Sequence, residues 1–118
     1  ARVLRHFSRT PPQDFVKKVV DTYHTRRDVF VPGLGRIGWD IPMPKATFYV
    51  WAKIPLKFSA LTSLEFATLL VQEAGVVVAP GSGFGEYGEG FVRFALVEPV
   101  PRLREALKRI ERVLRMED

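Results

Sequence analysis

Apolar residues recur near a helical period in three stretches of the chain. The first follows residues 10–13 (TPPQ), in which a threonine that can cap a helix precedes two prolines and a glutamine, as is typical of a helix start. The second follows a capping box at residues 62–65 (TSLE) and ends before Gly75, and the third begins at Pro99 and Pro101. The apolar positions are Phe15, Val19, Tyr23, Phe30 and Leu34 in the first predicted helix, Leu64, Ala67, Leu70, Val71 and Ala74 in the second, and Leu103, Leu107, Ile110 and Leu114 in the third.

Runs of β-branched and aromatic residues predict strands between these helices. Residues 47–54 (TFYVWAKI) alternate most regularly, a short strand or strand edge is predicted at residues 38–42, and two further strands flank a glycine-rich loop at residues 76–79 and 91–97. The resulting order, α-β-β-α-β-β-α, predicts an α+β fold of two layers. In this fold a small, mostly antiparallel sheet carries helices packed on one face.

Pro32 interrupts the first helical pattern. Because proline lacks the N–H of an interior hydrogen bond, at a cost of about 3 kcal/mol, the pair Pro32-Gly33 is expected to kink or end the helix.

At 118 residues the chain has the length of one domain, and it has no cysteine for disulfides or thiolate metal sites. No run reaches the roughly 20 apolar residues that span a bilayer, so we predict a soluble, cytoplasmic protein without a membrane partner. The sequence starts with alanine rather than methionine, as a fragment of a longer protein would. We assign residues 1–12 to an arm or the remnant of a preceding element and residues 13–118 to the domain.

The formal net charge is +5, and most of the basic residues lie near the two ends of the chain. Arginines and lysines at helical spacing usually form a solvated face, whereas a nucleic-acid footprint is the alternative. In the third helix Glu105 with Arg109, and Glu111 with Arg115, have the spacing of i,i+4 ion pairs.

Glycines at positions 81, 83, 85, 88 and 90 indicate backbone that takes a positive φ or passes close to another segment. Residues 83–88 (GFGEYG) match the dinucleotide-binding pattern, but a strand follows them where that motif needs a helix. A kinase phosphate loop is excluded because the later kinase motifs are absent. We therefore interpret the loop as a tight connection between strands, with Glu86 and Glu89 solvated.

Catalytic chemistry is not indicated by the other polar residues. His6 and His24 lack a second ligand at i+4, so no metal site is predicted. Ser82 lies between glycines, but the spacing is not that of a nucleophile elbow and no base is placed for it.

Arg93 is the candidate binding residue because it interrupts the apolar run at residues 91–97. Alternation places Phe91, Arg93 and Ala95 on one face of the strand. Burying an unpaired guanidinium costs several kcal/mol, so Arg93 needs an anionic partner. The partner is either a carboxylate of the same domain or a substrate carboxylate or phosphate held by the planar guanidinium fork.

Three segments together carry a resemblance to a known family: PKATFYVW at 44–51, SLEFATLLVQEAGVVVAPGSGFG at 63–85 and GEGFVRFAL at 88–96. They resemble the C-terminal small domain of class I/II, fold-type I, pyridoxal-phosphate aminotransferases. The likeness is strongest to the aspartate-aminotransferase branch that includes the LL-diaminopimelate and N-succinyldiaminopimelate aminotransferases. It extends from about Gln13 to Leu114, and in the family the first helix usually continues where Pro32 stands.

The resemblance implies that Arg93 binds the α-carboxylate of an amino acid or 2-oxo acid and that Phe48 lies near the substrate. It assigns the pyridoxal 5'-phosphate cofactor and its lysine to a large domain, and none of Lys45, Lys53 and Lys57 lies in the family's Ser-Lys motif. It therefore implies no catalytic or cofactor-binding residue here, no activity of these residues alone, and a homodimeric parent enzyme. The alternative function is a free-standing α+β module that senses amino acids or binds nucleic acid.

Overall fold

A computed structural model describes residues 13–45 and 48–116. Its helices and strands form an α+β fold. The predicted helix start at residues 10–12 lies outside the described residues. The helices are α1 (Gln13–Arg36), α2 (Ser63–Ala74) and α3 (Val100–Leu114), the strands are β1 (Tyr49–Lys53), β2 (Ala79–Pro80) and β3 (Phe91–Ala95), and short 3-10 turns occupy Leu56–Phe58, Gly81–Phe84 and Glu86–Gly88.

The strands form an antiparallel sheet in the order β1-β3-β2. Arg93 of β3 lies opposite Trp51 of β1 and Ala79 of β2, so it occupies the middle of the sheet. Val50 and Val92 are fully buried on the face that packs into the core with the helices. The predicted α+β class and antiparallel sheet are confirmed.

Residues 38–42 differ from the prediction, since they form a turn and a loop that do not pair in the sheet. Their side chains are nevertheless anchored. Trp39 is buried and its indole N–H donates a hydrogen bond to the Lys53 carbonyl at 2.8 Å, and Ile41 is buried beside it in the core. Pro42 and Pro44 follow directly and have no backbone N–H to give to a sheet, which favours an anchored loop over a strand.

Of the two expected effects of Pro32, a kink or a helix end, the end is wrong, because helix α1 continues to Arg36. Phe30, Val31 and Leu34 surround the proline and are buried in the core. A Cβ atom on Gly33 would collide with the Leu107 side chain, so α1 and α3 approach each other closely at this glycine. Tertiary packing on both sides thus offsets the hydrogen bond that the proline removes.

Both predicted ends of helix α2 are confirmed. The Thr62 hydroxyl accepts a hydrogen bond from the Glu65 N–H at 3.1 Å, and the Thr62 N–H donates to the Glu65 carboxylate at 2.9 Å. The backbone hydrogen bond, followed by that of the Thr62 side chain, lowers the pKa of the Glu65 carboxyl. Gly75 ends the helix with a φ of 66°, a left-handed conformation that suits glycine.

The buried face of α2 is rotated from the predicted one. Phe66, Ala67 and Leu70 point into the core, whereas Leu64 and Val71 are exposed. In α3 the predicted ion pairs form, with 3.3 Å between Arg109 and Glu105 and 3.0 Å between Arg115 and Glu111. Among the described residues, no helix combines the length and the apolar character that a membrane span requires.

Candidate functional site

The face of the sheet opposite the core carries Arg93 and several aromatic side chains. Along β3, Val92 and Phe94 are buried while Arg93 is half-buried on the other face, as the alternation predicts. Along β1, Tyr49 and Trp51 are exposed on the same face as Arg93. On this face an arginine can meet a ligand without entering the core.

The guanidinium of Arg93 contacts two aromatic rings. Its Cζ atom is 4.0 Å from the centroid of the Tyr49 ring and 4.2 Å from that of the Phe84 ring. The Phe84 ring in turn meets the Trp51 ring edge-to-face at a centroid distance of 5.3 Å. We call Tyr49, Phe84 and Trp51 the aromatic frame of Arg93.

No carboxylate pairs with Arg93 within the described part of the chain, and none of its guanidinium N–H groups donates a hydrogen bond there. The internal ion pair, which the sequence left open, therefore does not form among these residues. Ring contacts satisfy the flat faces of a guanidinium but not the N–H donors around its edge. The geometry leaves that edge to an anion, and a planar fork of donors matches a carboxylate or phosphate in a bidentate way.

The glycine-rich loop folds back on itself beside the frame. A Cβ atom on Gly81 would collide with the Gly88 carbonyl oxygen and lie 2.6 Å from the carbonyl oxygen of Phe91. Gly85 and Gly90 have positive φ angles of 114° and 93°. The prediction of a close approach or a positive φ is thus confirmed at four positions, whereas Gly83 has neither feature.

Several backbone amides of this loop have acceptors within the domain. The Ser82 N–H donates to the Ser63 hydroxyl at 3.2 Å, and the N–H groups of Gly85 and Gly88 donate to the carbonyls of Ser82 and Gly85. A phosphate-binding loop needs such amides pointing at the ligand. The structure therefore agrees with the rejection of a nucleotide-binding loop.

Glu89 is exposed, as the sequence predicts, and its carboxylate is also hydrogen-bonded within the domain. It accepts hydrogen bonds from the Ser63 N–H at 2.7 Å and from the Ser63 hydroxyl at 3.0 Å. Ser63 begins helix α2, where backbone N–H groups are unpaired and a negative charge is favourable. Ser63 thus joins Glu89 and Ser82, at the two ends of the loop, to the start of α2.

We expect the substitution Glu89→Gln to lower the free energy of unfolding by about 1 kcal/mol, because it removes the charge from two hydrogen bonds at a helix N-terminus. Glu86→Gln is the matched control, since Glu86 is an exposed glutamate of the same loop. Urea unfolding of the two variants measures the difference. Equal midpoints would show that the Glu89 carboxylate does not stabilise the loop.

Phe48, the second predicted site residue, is not brought to Arg93. Its ring packs on Tyr23 of α1 at a centroid distance of 4.4 Å, and its carbonyl accepts a hydrogen bond from the Leu96 N–H at 2.9 Å. By the alternation of β1, Phe48 belongs to the same face as the buried Val50, opposite Arg93. The aromatic neighbours of Arg93 are instead Tyr49 and Phe84.

Sequence reasoning missed these two rings for different reasons. Tyr49 shares a strand face with Trp51, so pairing β1 with β3 in the observed register would have placed it diagonally from Arg93. Phe84 lies in a loop, where no periodicity indicates the direction of a side chain.

Lys53 and Lys57 are both exposed. Lys57 donates hydrogen bonds to the carbonyls of Leu114 and Met116 at the end of α3, far along the chain from Arg93, and Lys53 is exposed at the end of β1. Within the same described part, no three His, Cys, Asp or Glu side chains cluster closely enough to hold a metal ion. The arrangement around Arg93 can bind and orient an anion.

Fold and site together define an α+β domain that carries an aromatic-framed arginine on the face of its sheet opposite the core. Residues 1–110 match the family Aminotransferase class I and II. The chain is 50% identical over 103 residues to glutamate-pyruvate aminotransferase AlaC of Escherichia coli, covering 87% of this chain and 25% of that protein. It is 44% identical over 102 residues to LL-diaminopimelate aminotransferase of Halothermothrix orenii, covering 86% and 25%. The chain belongs to the class I and II aminotransferases.

Solved structures give the same result. The aromatic aminotransferase from Pyrococcus horikoshii has a TM-score of 0.79 and 38% identity, over 86% of this chain and 26% of that one. Substrate-bound BacF from Bacillus subtilis has a TM-score of 0.82 and 36% identity, over 87% and 26%. The resemblance stated from the sequence motifs is confirmed, and the chain spans about a quarter of the length of the relatives it matches.

Proposed function

We propose that residues 13–118 are the substrate-binding small domain of an aminotransferase that moves an amino group from an amino acid to a 2-oxo acid. The observation that carries this proposal is the guanidinium of Arg93, which contacts the rings of Tyr49 and Phe84 and has no carboxylate partner among the described residues. Amino acids and 2-oxo acids share an α-carboxylate, the planar anion that such a fork fits.

Arg93 binds the α-carboxylate of the substrate through two parallel charge-assisted hydrogen bonds. Two bonds in one plane fix both the position and the rotation of the carboxylate, which the single point charge of a lysine would not do. A substrate held in this way has its α-carbon at a defined distance from the sheet. Orientation of this kind lowers the barrier because the substrate need not search for its reactive pose.

The class I and II aminotransferases depend on pyridoxal 5'-phosphate, which carries the amino group between the two substrates. None of Lys45, Lys53 and Lys57 lies in the family's Ser-Lys motif. We propose that a large domain outside these residues holds the cofactor, and that residues 13–118 alone do not turn over substrate. A homodimeric, cytoplasmic parent enzyme is proposed on the resemblance alone.

The names of the relatives suggest which substrates to test first. Escherichia coli AlaC is named a glutamate-pyruvate aminotransferase, and several relatives are named LL-diaminopimelate aminotransferases. We propose that this protein uses an amino acid of one of these kinds, with a role in amino-acid biosynthesis such as that of lysine. The shared requirement in both cases would be the α-carboxylate that Arg93 binds.

An amino-transfer assay of the full-length enzyme tests the proposal. We expect turnover with L-glutamate and pyruvate, or with LL-diaminopimelate and 2-oxoglutarate, in the presence of pyridoxal phosphate. The 118-residue chain with the same cofactor is the control, and we expect neither turnover nor the absorbance band of a lysine-bound cofactor. A full-length enzyme that transfers no amino group between any amino acid and 2-oxo acid of a broad panel would contradict the proposal.

A further inference from the structure

The guanidinium of Arg93 is packed against two rings of the aromatic frame. Its Cζ atom lies 4.0 Å from the centroid of the Tyr49 ring and 4.2 Å from that of the Phe84 ring. The two rings come from elements that are separate in sequence, a strand and a glycine-rich turn. Both rings are also partly exposed, so they are not held there by burial in the core.

We propose that Tyr49 and Phe84 are positioning residues for the substrate carboxylate, acting only through the guanidinium of Arg93. This inference rests on the proposed function, in which Arg93 binds that carboxylate. The rings hold the guanidinium in one plane, so that its fork of N–H donors meets the carboxylate edge-on.

The chemistry of arginine explains why rings packed against the guanidinium would help binding. Its side chain has four rotatable bonds, and freezing them on substrate binding would cost conformational entropy. Two rings packed against the guanidinium restrict this freedom before the substrate arrives, and a preorganised group loses less on binding. Stacking also displaces water from the faces of the guanidinium and leaves its donor edge accessible, which strengthens the hydrogen bonds made there.

The surrounding structure fixes each ring. Tyr49 lies opposite Ala95 in the β1–β3 register, which makes it the diagonal neighbour of Arg93 on the same face. Phe84 is fixed by its edge-to-face contact with Trp51 and by the loop that carries it, because Ser82 is hydrogen-bonded to Ser63 at the start of α2. Tyr49 is thus held by the sheet, and Phe84 by its contact with Trp51 and by the attachment of its loop to helix α2.

A double-mutant cycle in the full-length enzyme tests this inference. Tyr49→Leu and Phe84→Leu are each expected to lower kcat/KM for the amino acid about tenfold, mainly by raising KM, because the guanidinium loses a stacked ring. The conservative variants Tyr49→Phe and Phe84→Tyr keep a ring and should retain the parent value. Tyr87→Leu is the matched control, since Tyr87 is an aromatic residue of the same loop and its side chain is 93% exposed.

The decisive measurement repeats Tyr49→Leu and Phe84→Leu in an enzyme that already carries Arg93→Leu. Residues that act only through Arg93 should then lower kcat/KM no further, whereas a general structural defect would lower it by the same factor as in the parent enzyme. An equal loss in both backgrounds, or no loss in the presence of Arg93, would overturn the inference. A different result would contradict the proposed function, namely an unchanged kcat/KM in the single variant Arg93→Leu.

Discussion

Full-length enzyme carrying Arg93→Leu is expected to show a kcat/KM for its amino acid substrate about 10²-fold or more below that of the parent enzyme. The variant loses two charge-assisted hydrogen bonds to the carboxylate, worth on the order of 3 kcal/mol together. We expect KM to rise, because the substrate carboxylate would leave water without gaining a partner. Steady-state kinetics with the best amino acid of the panel measures the effect.

Two further variants separate the binding role of Arg93 from its charge and from general damage. Arg93→Lys keeps the positive charge but not the planar fork, so we expect an intermediate loss. Arg104→Leu removes an exposed arginine of α3 and should match the parent enzyme. Kinetics of Arg93→Leu that equal those of Arg104→Leu would contradict the assignment of Arg93 to the substrate carboxylate.

Features that depend on neighbouring residues could be predicted from the sequence. The capping box of Thr62 and Glu65 and the left-handed Gly75 that ends the helix are set within a few residues of one another. Likewise, the alternation along β3 is enough to place Arg93 on the face opposite Val92 and Phe94. In each case the local pattern and the final packing favour the same conformation.

The errors arise where contacts between distant segments outweigh a local preference. Pro32 favours the end of a helix, but buried neighbours and the close approach of α3 at Gly33 keep α1 intact. Residues 38–42 have the composition of a strand, yet Trp39 anchors them to the carbonyl of Lys53 instead of pairing them in the sheet. Neither contact can be predicted from the residues on one side of it alone.

Contacts between distant segments also limit what the sequence predicts about the site. A lone arginine in an apolar strand indicated an anionic partner, and this inference needed only β3. The rings of Tyr49 and Phe84 could not be assigned to Arg93 without the strand register and the path of the loop. Glu89 was predicted to be solvated because its acceptor role requires Ser63, which lies 26 residues earlier in the chain.

The second large effect is expected at Gly81, where backbone rather than a side chain fills the space of a Cβ atom. Gly81→Ala would force the methyl group against the carbonyls of Gly88 and Phe91, and neither carbonyl can move without opening the loop. We expect the free energy of unfolding to fall by on the order of 3 kcal/mol. Thermal unfolding of the full-length enzyme measures this loss.

Activity should fall with stability in this variant, because the same turn carries Phe84. If the loop opens at Gly81, the Phe84 ring leaves the guanidinium of Arg93 and KM for the amino acid rises. Gly83→Ala is the matched control, because Gly83 lies in the same turn. Gly83 has no positive φ, and the space where its Cβ would be is open. The free energy of unfolding of this variant should therefore stay within about 1 kcal/mol of the parent value. Similar melting temperatures and KM values for the two variants would mean that the contact between Gly81 and Gly88 does not hold the ring in place. A loss confined to Gly81→Ala would instead show that the backbone contact of Gly81 helps to set the geometry of the arginine.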